Sequence, residues 1–533
     1  MPVISLPSFA SRVAIKEHRG ALKLSDLSGA DHWLLVLPSA TCANIKKASY
    51  WSSLPNGTEL KSAFMNRWQK RVDKKTPTDK PLFVTNLTSS RTTKNNPGTM
   101  VSVWSVSDTA TPYQRLVAMR KLIAGLNTDH AHHAVVSMVG FDKTQTSSLS
   151  ESLITAALAA TAPEVNVKKA PKPPASLSKL IVANGASKSG PISLSQLKAE
   201  AEGNNATRFL AKMPANYLRV GDYTRYAKKI SEKYGWRYQF VDRKQLKSLK
   251  AGAFLAVAQA NEKDPCGIVK LSYRPKAKSG GKSTTGNADV VLVGKGICFD
   301  TGGVNVKPAE YMFDMHMDMI GSATAVGSLI ALTKMKYPKK VDAWLALSEN
   351  EISPQAYRPN DIVTASDGTR IEIVHTDAEG RMVLADTLAI CRKQKPKLVI
   401  DYATLTGSCV RAITERFTGA FTNRPDWHSL LIECGEQSGE RVWPFPLPDD
   451  FKADLDSDIG DIKQCLLKGN ADQIYASLFL QHFIGKDVPW IHFDLSSATR
   501  EGGLGAIASK ATGMGVRYTT RLLTEHLKPT AWK

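Results

Sequence analysis

The chain has 533 residues, 42% of them hydrophobic and 22% charged, with 70 Lys and Arg against 49 Asp and Glu and a formal charge of +21. Its length predicts two or more domains, and its composition excludes the low-hydrophobicity, high-charge profile of a disordered chain. No uninterrupted apolar run approaches the roughly 18 residues of a membrane-spanning helix, so a soluble protein is expected.

The opening MPVISLPSFASRVAIKEHRG lacks a basic segment leading into a long apolar stretch and a small-residue cleavage site. It does not read as a secretory signal, and an organelle transit peptide is the lesser alternative. The seven cysteines (Cys42, Cys266, Cys298, Cys391, Cys409, Cys434, Cys465) are odd in number, scattered and free of any CxxC pair, which fits a reducing cytoplasm. Positive charge concentrates early, with 25 Lys and Arg against 12 Asp and Glu in residues 1–200. Such a field favours polyanions or nucleic acid by counterion release, the alternative being a solvated basic surface.

Residues 1–162 alternate strand-like runs (HWLLVLP, PLFVTNL, HAVVSMVGF) with helical ones (ELKSAFMNRWQKRVD, TPYQRLVAMRKLIAGL, LSESLITAALAAT), predicting a smaller N-terminal α/β domain. Prolines, lysines and small residues over 163–190 predict a linker. The pattern resumes over 191–533, with helices in GDYTRYAKKISEKYG, SATAVGSLIALTKMK and RMVLADTLAICRKQ. The strands there are YQFV, GIVKLSY, DVVLVGKGICF, VDAWLALS, IEIV and KLVIDYATL. A larger C-terminal α/β domain follows, built on a central, mostly parallel sheet covered by helices. No fixed-period repeat suggests a solenoid.

Polar residues inside apolar surroundings are densest in VLVGKGICFDTGGVNVKPAEYMFDMHMDMIGSA, which holds Lys295, Asp300, Lys307 and Asp318. Glycine-rich turns put Asp300 at a strand's carboxyl end, where open α/β sheets present ligand sites, and Asp318 at the start of the next helix. IEIVHTDAEGRMVLADTL adds Asp377, Glu379 and Arg381, three ionic side chains on one face if the segment is extended, with a helix beginning around Arg381. Four carboxylates in one cleft repel one another unless protonated or neutralised, and divalent cations are the usual solution. Oxygen donors with one amine could hold two such ions and support hydrolysis. The alternative is a set of surface salt bridges at loop ends, which the two segments together disfavour.

VGKGICFDTGG with its following lysine, MDM and TDAEGR closely resemble the signature of the leucyl aminopeptidase (cytosol aminopeptidase) family of metallopeptidases. The resemblance runs from MPANYLR and AFLAVAQAN through DYATLTG to ATGMGVR, and the smaller domain matches only in size and α/β character. It implies a two-metal catalytic domain over 191–533 that removes N-terminal residues, preferably apolar ones such as Leu, from peptides with a free amino terminus. Lys295, Asp300, Asp318 and Glu379 would hold the tighter ion and Asp300, Asp377 and Glu379 the more exchangeable one, with zinc or manganese as the metal. Lys307 would face the developing oxyanion, and Arg381 would hold a bicarbonate ion acting as general base. Met315, Thr404, Leu405 and Gly407 would wall the pocket for the first side chain. A homohexamer of two trimers with interior active sites is also implied.

The chain departs from that pattern at His375, where Asn is usual, at His316, where Lys or Arg is common, and at Ile320-Gly321-Ser322, which replaces Met-Gly-Gly. All the expected ligands survive, so activity is expected. Other signals are weaker. His130, His132 and His133 lack spaced carboxylates and read as a loop. The string around Lys282 lacks the glycine of a phosphate-binding motif at Lys276. The acidic run Asp454, Asp456, Asp458 and Asp461 lacks the glycine and glutamate of a calcium loop. No HExxH or GxSxG motif occurs. The competing expectation is a nucleic-acid-binding or scaffolding protein that uses its basic N-terminal domain, with peptidase activity secondary; a non-catalytic relative is disfavoured by the complete ligand set.

Overall fold

The computed structural model describes residues 4–18, 20–39, 51–52, 54–73, 82–87, 98–171, 174–183, 193–276 and 286–532. Cys42 and the glycine-rich string around Lys282 lie outside the described residues. The chain divides into two compact units, one of Ala10–Ala201 and Gly503–Ala508, the other of Met1–Phe9, Glu202–Gly502 and Ser509–Lys533.

The smaller unit is built on a six-stranded sheet of β1 (Ala14–His18), β2 (His32–Pro38), β3 (Leu82–Leu87), β4 (Thr99–Val106), β5 (His133–Met138) and β6 (Lys179–Ala183), in the order β1-β6-β5-β2-β4-β3. Every pairing is parallel except β3 with β4. Alternation along β2 shows why HWLLVLP is apolar throughout. Leu34 and Val36 enter a core with Leu122 and Leu153 of the helices Pro112–Thr128 and Lys143–Ala160. Trp33 and Leu35 enter a second core with Phe64 of helix Gly57–Asp73. A strand buried on both faces reads as a continuous hydrophobic run. Strand β6 falls within 163–190, the segment expected to be a linker. Its Leu180, Ile181 and Val182 are buried between β1 and β5, a short apolar run masked by the prolines and lysines before it.

The larger unit carries an eight-stranded sheet. Its strands are β7 (Arg237–Asp242), β8 (Gly267–Tyr273), β9 (Val290–Asp300), β10 (Val341–Asn350), β13 (Leu398–Ala403), β14 (Thr418–Thr422), β15 (Val442–Pro444) and β17 (Trp490–Asp494), in the order β15-β14-β17-β13-β9-β10-β8-β7. The central four, β17-β13-β9-β10, are parallel, and antiparallel β14 and β8 flank them. This is the mixed α/β architecture with a parallel centre that the sequence predicts. The four parallel strands end at Asp300, Asn350, Ala403 and Asp494, so their carboxyl ends share one edge, the usual place for a ligand site in such sheets.

A helix covers each face of β9. Helix Ile320–Lys334 packs on β9, β10 and β13, and every residue from Ile320 to Leu332 is buried. The stretch Ala309–Lys334 is long and apolar enough to cross a membrane. Here its apolar character serves core burial. Contact with β9 is close because Gly294 has no side chain: a Cβ there would lie 2.4 Å from the Ser322 Cα. The expected change at Ser322 leaves the helix start intact, and its hydroxyl donates to the Met319 carbonyl at 2.7 Å. On the opposite face lies helix Glu379–Arg392, flanked by helices Gly252–Ala258 and Asp472–Ile484.

A small sheet of β11 (Ile362–Thr364), β12 (Arg370–Glu372) and β16 (Ile462–Lys463) leads into that helix. Strand IEIV is shorter than expected: β12 ends at Glu372, and the chain turns through His375 and Asp377 before the helix starts at Glu379.

Candidate metal centre

Lys295 lies midway along β9, opposite Ala346 of β10, with a nearly buried side chain. Its Nζ is 2.9 Å from Asp318 Oδ2, 2.7 Å from Glu379 Oε1 and 3.0 Å from the Thr404 carbonyl oxygen. Asp318 follows a short turn at Met315–Met317 and precedes the helix on one face of β9; Glu379 opens the helix on the other. The two helix starts thus bring their carboxylates to one lysine. Thr404, just past β13, adds a hydroxyl that donates to Asp318 Oδ1 at 2.6 Å.

Asp300 ends β9, and Oδ1 accepts from the Asn350 amide at 2.8 Å and from Gly302 N at 2.9 Å. Its other oxygen is 2.9 Å from Lys307 Nζ, which also lies 2.5 Å from Asp377 Oδ1. The loop carrying Asp377 is tied down on both sides. Thr376 donates its hydroxyl to the Gly302 carbonyl at 2.6 Å, and the Thr376 carbonyl accepts from Tyr357 at 2.7 Å and Asn350 at 3.1 Å. Gln464 accepts from Val374 N and His375 N, and donates to the Ala378 carbonyl at 3.0 Å.

Burial pushes the Asp318 carboxyl up to about 8, Lys295 pulling against it and Glu379 and Asp300 adding to the rise. Burial and the charges of Asp300 and Glu379 likewise push Asp377 up to about 7 despite Lys307. Glu379 is raised too, by burial and then by Asp300. Burial alone would lower Lys295 and Lys307, but the surrounding carboxylates outweigh it and hold both above the usual lysine value. The site is a buried, mutually repelling carboxylate cluster that demands positive charge.

The donor set fits divalent cations. Asp300, Asp377 and Glu379 each offer an oxygen, and these atoms lie within 4.8 Å of one another, the one such grouping among the described residues. Asp318 Oδ2, Asp377 Oδ1 and Glu379 Oε1 accept no hydrogen bond: the nearby ammonium groups form ion pairs with them without hydrogen-bond geometry. Buried carboxylate oxygens left in that state are poised for metal ions.

Arg381 does not join this cluster. Two positions along a helix rotate a side chain about 200°, so Glu379 and Arg381 diverge, whereas an extended segment would have aligned them. The buried guanidinium instead makes a two-pronged pair with Asp472, Nη1 to Oδ1 at 3.0 Å and Nη2 to Oδ2 at 2.7 Å, and Nη1 also donates to the Gln464 carbonyl at 3.2 Å. Asp472 is the first residue of helix Asp472–Ile484, entered through Ala471 at φ 62° and pinned by Gln473 N donating to Ser408 Oγ at 2.9 Å. The seat on Arg381 expected for bicarbonate is therefore filled by a carboxylate of the chain itself.

The ionic groups of the cluster, Thr404 and the Arg381–Asp472 pair line one cleft of about 600 Å³, together with Met315, Leu405 and Gly407. Leu405 packs against the core, and Gly407 starts a short helix, Gly407–Ile413. Buried Asp494 accepts from Leu405 N at 3.1 Å and from the Thr406 hydroxyl at 2.6 Å, fixing that wall. His375 also lines the cleft, and burial lowers its pKa and that of His316. All eleven residues expected from the sequence to form the site thus line a single cavity.

Asn350, Gln464, Asp472 and Asp494 are supporting residues that sequence reading missed. Asn350 and Asp494 carried a usable signal, a polar residue ending an apolar strand. Gln464 and Asp472 carried none, since each meets its partners only through the fold. The weaker signals stay outside the cleft. His133 begins β5 with Nδ1 2.9 Å from the Gly29 carbonyl, and in the acidic run Asp461 accepts from Arg370 N at 2.7 Å and Asp454 from Tyr475 at 2.7 Å.

Residues 205–520 match the cytosol aminopeptidase family, catalytic domain. The chain is 36% identical over 335 residues to a probable cytosol aminopeptidase of Phytoplasma australiense, covering 62% of this chain and 66% of that protein. It is 39% identical over 327 residues to one of Rhodopseudomonas palustris, covering 61% and 64%. The match thus spans just under two thirds of the length of these curated relatives. Among solved structures, a point mutant of tomato leucine aminopeptidase superposes with a TM-score of 0.79 at 26% identity, over 96% of this chain and 97% of that one.

Proposed function

The chain belongs to the cytosol aminopeptidase family, and from that premise we propose that it is a two-metal aminopeptidase hydrolysing the first peptide bond of peptides with a free amino terminus. The observation that carries this reading is the cluster of Asp300, Asp377 and Glu379 within 4.8 Å, beside Lys295 and Asp318, in one cleft. In this reading Lys295, Asp300, Asp318 and Glu379 hold the tighter ion and Asp300, Asp377 and Glu379 the exchangeable one, both ions being zinc or manganese. Bound ions supply Lewis acidity and acidify water. For Lys295 to ligate, it gives up its proton, and a neighbouring cation favours the neutral amine.

Lys307 is the cation assigned to the scissile carbonyl. It now bridges Asp300 and Asp377; neutralising those carboxylates frees its ammonium to donate to the oxygen on which negative charge develops. Met315 and Leu405 offer thioether and aliphatic walls beside Thr404 and Gly407, which supports a preference for an apolar first residue such as Leu. By the same family resemblance we read the protein as a cytoplasmic homohexamer.

The test is hydrolysis of leucine para-nitroanilide before and after chelation and metal readdition, beside Glu379→Ala. Metal-dependent turnover lost in the variant supports the reading. If metal-loaded, folded protein releases no product from this or other free-amine peptides, the reading fails and salt-dependent DNA binding becomes the function to measure.

A further inference from the structure

We infer that Asp472 takes the place of an external anion on Arg381, so that this chain does not recruit bicarbonate to its cleft. Arg381 is buried to 3% side-chain exposure, whereas Asp472 is 40% exposed toward the cleft. Both terminal guanidinium nitrogens are engaged by the two Asp472 oxygens, and Nη1 has the Gln464 carbonyl as well. Only Nε lacks a partner, and a single N–H cannot provide the parallel pair with which a guanidinium grips a planar anion. Bicarbonate and a side-chain carboxylate present the same flat pair of oxygens, so they compete for one fork, and the tethered group wins without losing translational freedom.

The placement of Asp472 is built into the fold. Ala471 adopts a left-handed conformation at φ 62°, and the helix start is fixed by Gln473 N on Ser408. The opposite charge also answers a need of Arg381, since a buried guanidinium without a counter-ion is strongly disfavoured. Removing the Asp472 carboxylate therefore vacates a fork that an anion should enter. The inference rests on the aminopeptidase reading for the expectation of bicarbonate, but anion binding can be read without turnover, so either can fail separately.

The experiment is thermal unfolding of the metal-loaded full chain in sodium bicarbonate against sodium chloride of equal ionic strength and pH. The wild type is expected to show no difference. Asp472→Ala should melt several degrees higher in bicarbonate, saturably, because a ligand of the folded state alone raises the melting temperature. Asp472→Asn, which keeps the shape and loses the charge, should respond in the same sense and serves if the alanine variant does not fold. Adding Arg381→Met to either variant should abolish the response. Bicarbonate should leave wild-type hydrolysis unchanged and stimulate the single variants several-fold. A wild type that gains as much thermal stability from bicarbonate as the variants, or folded single variants that gain none, overturns the inference.

Discussion

Gly380 lies directly against the Lys295 side chain, so that a Cβ at position 380 would meet Cδ, Cε and Nζ of the lysine at 2.7 Å. A side chain at position 380 would therefore move Lys295 from its place between Asp318 and Glu379. Gly380→Ala is expected to push the Lys295 ammonium and the helix start apart without removing any ionic group. Displacement of reacting groups by about 1 Å costs on the order of 100-fold, and kcat/KM should fall by at least that factor. Kinetics with metal analysis check it; a variant with normal turnover would show that the fit between Lys295 and the helix is not needed.

Lys307 separates binding from chemistry. Lys307→Met is expected to keep the metal ions, because the carboxylates remain, and to lower kcat by about 100- to 1000-fold, the range for losing one donor to a developing oxyanion. Metal stoichiometry with steady-state kinetics distinguishes this from loss of the site.

Gln464 holds the loop that carries Asp377 through three hydrogen bonds of one fully buried amide. Gln464→Ala leaves two backbone N–H groups without the partner they now have and removes the side-chain donor from the Ala378 carbonyl, so a loss of about 1–3 kcal/mol is expected for each N–H that finds no water. The urea midpoint should drop, and the more exchangeable ion, which depends on Asp377, should be lost in preference to the tighter one. Equal loss of both ions would contradict the division of ligands.

The raised pKa values predict how metal affinity follows pH. In the metal-free protein Asp377 titrates at about 7 and Asp318 at about 8, so below those values protons occupy oxygens that a metal requires ionised. Metal binding must expel them, and affinity should rise steeply from pH 6 to 8. Lys295, held above the usual lysine value, releases a further proton on ligation at any neutral pH. Calorimetry in buffers of different ionisation enthalpy should record proton release throughout, larger at pH 6 than at pH 8. A release no larger at pH 6 than at pH 8 would mean that the carboxylates are already ionised without metal.

The strands and helices of the core were legible because burial leaves a local record. The uninterrupted VVLV of β9, apolar on both faces, and the apolar run of helix Ile320–Lys334 can be read without knowing their neighbours. The carboxylate cluster was legible for a related reason: carboxylates and lysines do not occur in such surroundings unless something repays their burial, and TDAEGR places two of them two residues apart. Strand β6 was missed because five residues amid prolines and lysines carry too little pattern, and its burial comes from β1 and β5.

Which charges meet is set by the folded chain alone. Asp377, Glu379 and Arg381 look like one set along the chain, but the helix starting at Glu379 turns Arg381 away from the carboxylate cluster and into the fork of Asp472, 91 residues on. The residue types and the strand ends at which chemistry gathers can be read along the chain, because hydrophobic periodicity and motif spacing are local. Pairing in a buried site depends on helix phase and on distant chain segments converging in a region of low dielectric, and no local pattern encodes it.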